Sequence, residues 1–463
     1  MTEPGAADPL PERASGVLLH PTSLPGPGST GTLGADALRF VDWLAAAGFH
    51  YWQMLPIGPV DAWGSPYQSA SAFAGNARLL APECGPRAVP NAEDAAAFDA
   101  FCAQQAHWLD DHALFRTLRA HQPGVPWTAW PEPLRRREPA ALERARRRWR
   151  TTYRAIQWTQ YRFQRQWHAL RDYAAARGVR LIGDLPLLVA HDSADVWSQP
   201  EFFQLDDRGQ PLVVAGVPPD YFSATGQWWG NPLYRWSALA ADGYRWWRRR
   251  LARLRELFDL VRLDHFRGLA ACWEIPAGAE TAAEGRWVAG PGAALLDALA
   301  ADHARLPIIA EDLGIITPEV EALRDHYALP GMKVLQFAFD SDDTNPYLPH
   351  HHRHNCVVYT GTHDNDTTLG WYRSLAEDRR QRVRAYLDCT DAAMPWALVD
   401  AALASPARLA VIPLQDLLGL DSARRMNTPG TTGGDNWRFR FAWNEVPLDL
   451  AARLRERNLA HRR

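Results

Sequence analysis

The sequence predicts an α/β fold: a (β/α)8 (TIM) barrel with subdomains inserted after strands 2 and 3. Three observations carry that expectation. Eight short apolar runs recur along the 463 residues, most of them bounded by Gly, Pro or Asp. The runs are continuously apolar, as in a parallel sheet buried on both faces, and helical spacing fills most of the intervals between them. Two intervals, 61–150 and 189–242, are too long for plain connections, and long ordered loops after barrel strands usually form lids or substrate walls.

The elements follow in order. A strand at 16–20 precedes a helix at 35–47, and a strand at 51–56 leads into the first long interval. That interval, 61–150, holds a helical region near 95–118 and a Pro- and Arg-rich stretch, and reads as a mainly helical inserted subdomain. A helix at 155–177 feeds a strand at 180–188, after which 189–242, rich in Gly, Pro and aromatic residues, reads as an inserted lid. Helix 244–258, strand 260–264, helix 293–303, strand 308–311 and helix 318–326 continue the alternation. Strands at 334–339 and 357–360, helices at 377–387 and 396–404, and a strand at 409–414 complete a single catalytic barrel over 1–463.

Composition removes several function classes. Hydrophobic content of 47% and charged content of 22% fit a large core. A net charge of −3 gives no reason to expect nucleic acid or an anionic membrane, and the Arg runs at 135–137, 144–150 and 245–250 read as solvated helix faces. The cysteines at 84, 102, 272, 356 and 389 are scattered without a CxxC pair, as free thiols in a reducing compartment would be. Glu3, Asp8 and Glu12 argue against a secretory leader, and no run approaches the ~18 apolar residues of a membrane helix. The expectation is a cytoplasmic protein with no membrane partner, a monomer or weak homo-oligomer. The cluster His350-His351-His352-Arg353-His354 reads as a solvent loop, so no metal and no cofactor is expected. Of the 21 tryptophans, about a third stand in polar, Gly-rich settings suited to stacking on the C–H faces of sugars.

Three apolar runs end abruptly in acids, namely Arg262-Leu263-Asp264-His265, Ile309-Ala310-Glu311-Asp312 and Thr362-His363-Asp364-Asn365-Asp366. Charge at a strand end is expensive to pack and points to a site. If the strands are neighbours, Asp264, Glu311 and Asp364 converge. Glycosidic cleavage needs one protonated acid and one ionised carboxylate, and crowded carboxylates divide those roles because one is forced to hold its proton. Arg262, two residues before Asp264, shares its face and favours its ionised form. His265 and His363 are suited to hydrogen-bonding sugar hydroxyls, and Asp184 closes the third strand as a site residue or a loop cap.

Further motifs accompany the acids. They are His20-Pro21-Thr22-Ser23-Leu24-Pro25-Gly26, Ser65-Pro66-Tyr67-Gln68, Ser71-Ala72-Phe73-Ala74-Gly75-Asn76, Gly183-Asp184-Leu185-Pro186, Gly216-Val217-Pro218-Pro219-Asp220-Tyr221-Phe222-Ser223 and Gly226-Gln227-Trp228-Trp229-Gly230-Asn231-Pro232. Together, and in this order, they resemble the 4-α-glucanotransferases (amylomaltases or disproportionating enzymes) of glycoside hydrolase family seventy-seven in the α-amylase clan. The resemblance implies transfer of α-1,4-glucan segments between maltodextrins by a retaining double displacement. Asp264 matches the nucleophile, Glu311 the general acid/base and Asp364 the transition-state stabiliser. It further implies that Arg262, His363 and Asp184 line the donor glucose subsite and that Tyr67 stacks there. Asp220, Gln227 and Trp229 fall in the lid loop, and Asn427 matches a further sugar contact. The alternative is an α-1,4-glucan hydrolase of the same clan. Departures at Trp63-Gly64-Ser65, Ala70, Ala77 and 28–34 leave the catalytic acids untouched and bear on chain-length preference.

Overall fold

The computed structural model describes Leu10 and residues 13–82, 92–219 and 225–463. Twelve strands occur among them: β1 (Ala14–Leu18), β2 (Tyr51–Gln53), β3 (Arg180–Leu185), β4 (Val213–Val217), β5 (Gln227–Pro232), β6 (Leu260–Leu263), β7 (Ala271–Pro276), β8 (Arg286–Ala289), β9 (Ile308–Ala310), β10 (Gly331–Val334), β11 (Cys356–Tyr359) and β12 (Leu409–Pro413). Eight of these close a barrel in the order β1-β12-β11-β10-β9-β6-β3-β2. Every neighbouring pair in it is parallel.

Largely apolar runs bury these strands on both faces, and β1, β2, β6, β9, β11 and β12 are buried at every residue. Gly16 lets β1 approach β2, since a Cβ there would stand 2.7 Å from the Tyr51 Cβ. The helix Ala35–Ala46 turns Ala37, Phe40, Val41 and Leu44 inward, a stripe of helical spacing laid on the barrel wall. The helices Arg150–Ala175, Arg245–Leu257, Ala293–Ala300, Pro318–His326, Glu377–Leu387 and Trp396–Ala404 match the remaining helical patterns. No helix among the described residues is long and apolar enough to cross a membrane.

The chain between β2 and β3 carries the helix Ala92–His121, two short helices (Glu132–Arg135 and Pro139–Arg148), and the long helix into β3. Between β3 and β6 come β4 and β5, which pair antiparallel. With β7 and β8 they form a four-stranded sheet, order β5-β4-β7-β8.

Three sequence expectations need correction. The strand expected at 334–339 lies at Gly331–Val334, and Leu335–Phe339 forms a 3-10 helix. Gly331 and Lys333 interrupt the apolar run, yet Gly331 is needed where the Asp312 carboxyl packs against the backbone. No strand was expected in 271–289, where the acid Glu274 and the base Arg286 hide β7 and β8. These two pair across the strands at 2.8 Å. The Arg run at 245–250 is not wholly solvated: Arg248 meets Asp302 at the surface at 2.6 Å, but Arg250 is 3% exposed. Arg250 falls on the same stripe as Trp246 and Trp247, with its guanidinium 5.1 Å from the Trp247 ring centre.

Cys102, Cys272, Cys356 and Cys389 are free thiols, and Cys84 lies outside the described residues. The His350–His354 imidazoles each have separate protein partners. His350 Nδ1 meets the Tyr386 hydroxyl at 2.7 Å, His351 Nε2 the Asp343 carbonyl at 2.8 Å, and His352 Nδ1 the Ser405 hydroxyl at 2.7 Å.

Candidate active site

Strand register sets the first level of the site. Asp184 on β3 lies opposite Arg262 on β6, and Leu263 lies opposite Ala310 on β9. Asp264 and Glu311 therefore leave adjacent strands at the same height, at the C-terminal ends where barrel enzymes place their chemistry. Backbone bonds pin both, with the Asp264 N–H donating to the Leu185 carbonyl at 3.0 Å and the Glu311 N–H to the Leu263 carbonyl at 3.1 Å.

Arg262 is the hub. Its guanidinium donates to Asp184 Oδ2 at 2.7 Å and to Asp264 Oδ1 at 2.8 Å. The Tyr67 hydroxyl donates to the same Asp184 oxygen at 2.9 Å. Asp184 Oδ1 is buried without a protein partner, an orphan acceptor inside a polar cluster.

Glu311 accepts two backbone hydrogen bonds, from His265 N–H to Oε2 at 2.7 Å and from Leu313 N–H to Oε1 at 3.1 Å. His265 reaches the first by adopting φ +53°, a left-handed conformation uncommon for a side-chain-bearing residue. Each carboxyl oxygen keeps a second lone-pair position, so one is left for a proton.

The third acid comes from the loop after β11. Asp416, 1% exposed, accepts from the Thr360 hydroxyl at 2.5 Å and from the Thr368 amide at 2.7 Å, clamping both ends of the loop. Asn365 Oδ1 accepts the Thr362 amide at 2.9 Å, which tightens the turn that presents Asp364. Asn427 donates to Asp364 Oδ1 at 2.7 Å, and Arg425 donates to the Asp364 carbonyl at 2.9 Å. His363 Nε2 sits 3.3 Å from Asp364 Oδ2. The Tyr67 ring stacks on the His363 ring at 5.3 Å with 11° between planes.

Electrostatics divide these groups. Burial pushes the Glu311 carboxyl up to about 8, against the pull of Arg262 and with the push of Asp264. Burial also pushes Asp184 up, opposed by the same guanidinium. Desolvation lowers His363 and takes His265 down to about 4, so both imidazoles are neutral hydrogen-bonding groups near neutral pH. Tyr67 feels the charges of Asp184, Arg262, Asp264 and Asp364 together, and Glu311 feels those of Arg262 and Asp264. The three acids thus share one electrostatic neighbourhood.

Trp229 on β5 stands edge-on to the His265 ring at 4.9 Å, and Gln227 Oε1 accepts its indole N–H at 3.2 Å. Asp220 lies outside the described residues. Two groups that the sequence reading left unassigned border the site. His20, after β1, is 4% exposed, and burial takes it down to about 3. Tyr359, the last residue of β11, donates to Gln53 Oε1 at 2.9 Å in the barrel interior. Tyr359 closes its strand and His20 follows β1 by two residues, and that position at the strand ends was the available signal. Among the described residues, no group of three or more His, Cys, Asp or Glu side chains is arranged to hold a metal ion.

Comparison with known proteins places this geometry. Residues 19–89 and 86–445 match the glycoside hydrolase family 77 model, described as 4-alpha-glucanotransferase. A 4-alpha-glucanotransferase of Thermus thermophilus is 48% identical, covering 96% of this chain and 97% of that protein. One from a Synechocystis strain is 44% identical over 93% of this chain and 94% of its own length. Among solved structures, the amylomaltase of Streptococcus agalactiae in complex with acarbose superposes with a TM-score of 0.92 at 32% identity, covering 97% of this chain and 99% of that one. With the match spanning nearly the whole barrel, the chain belongs to the 4-alpha-glucanotransferases of glycoside hydrolase family 77, enzymes acting on α-1,4-glucans.

Proposed function

We propose that this chain transfers α-1,4-glucan segments between maltodextrins by a retaining double displacement, with Asp264 as nucleophile, Glu311 as general acid/base and Asp364 as stabiliser of the sugar cation. One observation carries the reading. On adjacent strands, one carboxyl is pushed up to about 8 and keeps its proton near neutral pH, while its neighbour is ion-paired with Arg262 at 2.8 Å.

In the first displacement an Asp264 oxygen attacks the anomeric carbon. The bond to the leaving 4-oxygen breaks, and that oxygen takes the proton of Glu311. A glucosyl ester of Asp264 and a shortened glucan result. In the second displacement the Glu311 carboxylate accepts the proton of an acceptor's 4-hydroxyl, whose oxygen attacks the same carbon and displaces Asp264. Two inversions restore the α configuration.

The other groups bind and orient. Asp184 orients Arg262 and Tyr67 beneath the donor ring, and Arg262, His363 and Asn427 fix the acids that flank it. Tyr67, on the His363 ring, offers a stacking face. The acarbose bound by the Streptococcus agalactiae relative supports placing an α-glucan here. Tyr67 from 61–150 and Trp229 from 189–242 border the cleft, and the acceptor chain is assigned to Gln227 and Trp229, with Asp220 joining them by the family resemblance alone. An acceptor held there excludes water and favours transfer. Incubation with maltotriose tests the reading: glucose and longer maltodextrins should form while total reducing ends stay constant. A steady rise in reducing ends contradicts it and indicates hydrolysis.

A further inference from the structure

One cross-strand row of the antiparallel sheet is built of indoles. Gly216 on β4 is the register partner of Trp228 on β5 and of Trp273 on β7, and Trp273 is opposite Trp287 on β8. Directly opposed residues share a face. The row therefore crosses all four strands, about 14 Å at the usual strand spacing. Alternation along β5 sends Trp229 to the opposite face, against His265 in the cleft. The row thus lies on the outer face of the sheet, back to back with the catalytic groove.

The outer two rings are exposed, and Trp273 and Trp287 are held in place. Trp228 is 42% and Trp287 39% exposed, and the neighbouring Leu212 and Ile315 are exposed at 55% and 62%. Half of the eight exposed large apolar side chains among the described residues thus belong to this face or border it. Trp273 donates its indole N–H to the Ala282 carbonyl at 2.8 Å and meets Trp287 edge to face at 5.2 Å. The Arg267 guanidinium lies 3.8 Å from the Trp287 ring centre and is itself tied to the Ile315 carbonyl. Between Trp228 and Trp273 the row has no side chain, because a Cβ on Gly216 would collide with Ile275 and the β5 backbone. The space beside Gly216 is filled by Ile275, buried with Val214 and Ala282, so a small apolar cluster separates the two exposed rings.

We infer that this outer face is a second α-glucan contact surface, with Trp228 and Trp287 as its stacking platforms. The occupant follows from three facts. The chain's activity is on α-1,4-glucans, polymers long enough to touch more than the cleft. Strand β5 carries Trp229 on the cleft side and Trp228 on the outer side, so a chain passing Trp229 reaches the row by crossing one strand edge. The row itself presents indoles and aliphatic side chains, with Arg267 stacked on Trp287 as the charge at its edge, a surface suited to the flat C–H faces of a sugar chain. The surface would hold long chains near the cleft and leave short oligosaccharides unaffected.

The test uses the full chain carrying Trp228→Ala and Trp287→Ala, alone and together, with Trp→Phe at both positions as controls that keep a flat ring. Electrophoretic retardation by soluble amylose should weaken about tenfold in the double Ala variant and much less in the double Phe variant, while maltotriose transfer stays within about twofold. Unchanged amylose retardation in the double Ala variant overturns the proposal. So does an equal loss on maltotriose, which assigns the effect to the cleft, or a change in sedimentation showing that the face joins two copies of this chain. Because maltotriose transfer is read alongside, failure here is distinct from failure of the double-displacement mechanism.

Discussion

Replacing Glu311 with Gln removes the one carboxyl that burial pushes up to about 8, and its consequence for stability is as informative as its consequence for activity. An unfolded glutamate releases its proton near pH ~4.3. Between that pH and about 8 the folded chain binds more protons at this position than the unfolded chain does. Stability of the parent therefore falls as pH rises through that window. The gap sets a ceiling of about 5 kcal/mol, and because the side chain opens on the cleft, screening brings the usable figure to about 2 kcal/mol. Gln cannot ionise and escapes this loss. It also places an amide N–H₂ against one of the backbone donors of His265 and Leu313, a fixed cost of about 1–3 kcal/mol that does not vary with pH. The readout is accordingly the slope. Scanning calorimetry of both proteins from pH 5 to pH 9 should show the variant gaining on the parent by about 2 °C toward high pH. Maltotriose transfer should fall by about 10²–10⁴-fold at every pH. A melting-temperature difference that is flat with pH, or one that favours the parent more at high pH, refutes the claim that Glu311 enters the fold protonated.

Asp264→Asn should abolish maltotriose transfer, by about 10⁴-fold or more, with the melting temperature little changed. Arg262→Met leaves Asp184, whose side chain is 1% exposed, without its counter-charge, and should destabilise the fold by about 3–5 kcal/mol in chemical denaturation. Adding Asp184→Leu to that variant should restore much of the loss. Asn427→Ala frees Asp364 Oδ1 from its 2.7 Å donor and should lower kcat about tenfold or more with little change in denaturation midpoint.

How much of this was legible in the sequence depends on what each residue's signal was. Strands buried on both faces announce themselves as largely apolar runs, which is why β1, β3, β6, β9, β11 and β12 fell where the pattern put them. The acids at their ends stood out because a charge after such a run has no packing role. β10 was displaced because its own residues, Gly331 and Lys333, break the pattern while the 3-10 helix after it, Leu335–Phe339, imitates a strand. β7 and β8 were invisible because Glu274 becomes buried only through Arg286, a partner on another strand. Arg250 read as solvent-facing for a similar reason, since nothing local reveals that Trp246 and Trp247 will stack beneath it. The left-handed turn at His265, which aims its N–H at Glu311, is likewise a product of tertiary closure. Roles for Tyr67, Asp184 and Asn427 came from family resemblance, while their contacts with Asp184, Arg262 and Asp364 emerged only in three dimensions.

The mechanism stands or falls on a covalent bond to a single side chain. Glu311→Gln supplied with an α-maltosyl fluoride, whose leaving group needs no proton, should complete the first displacement and stall at the second. Mass spectrometry of the quenched, digested protein should then find a maltosyl adduct on the peptide containing Asp264. An adduct on any other residue, or none while fluoride is released, contradicts the account.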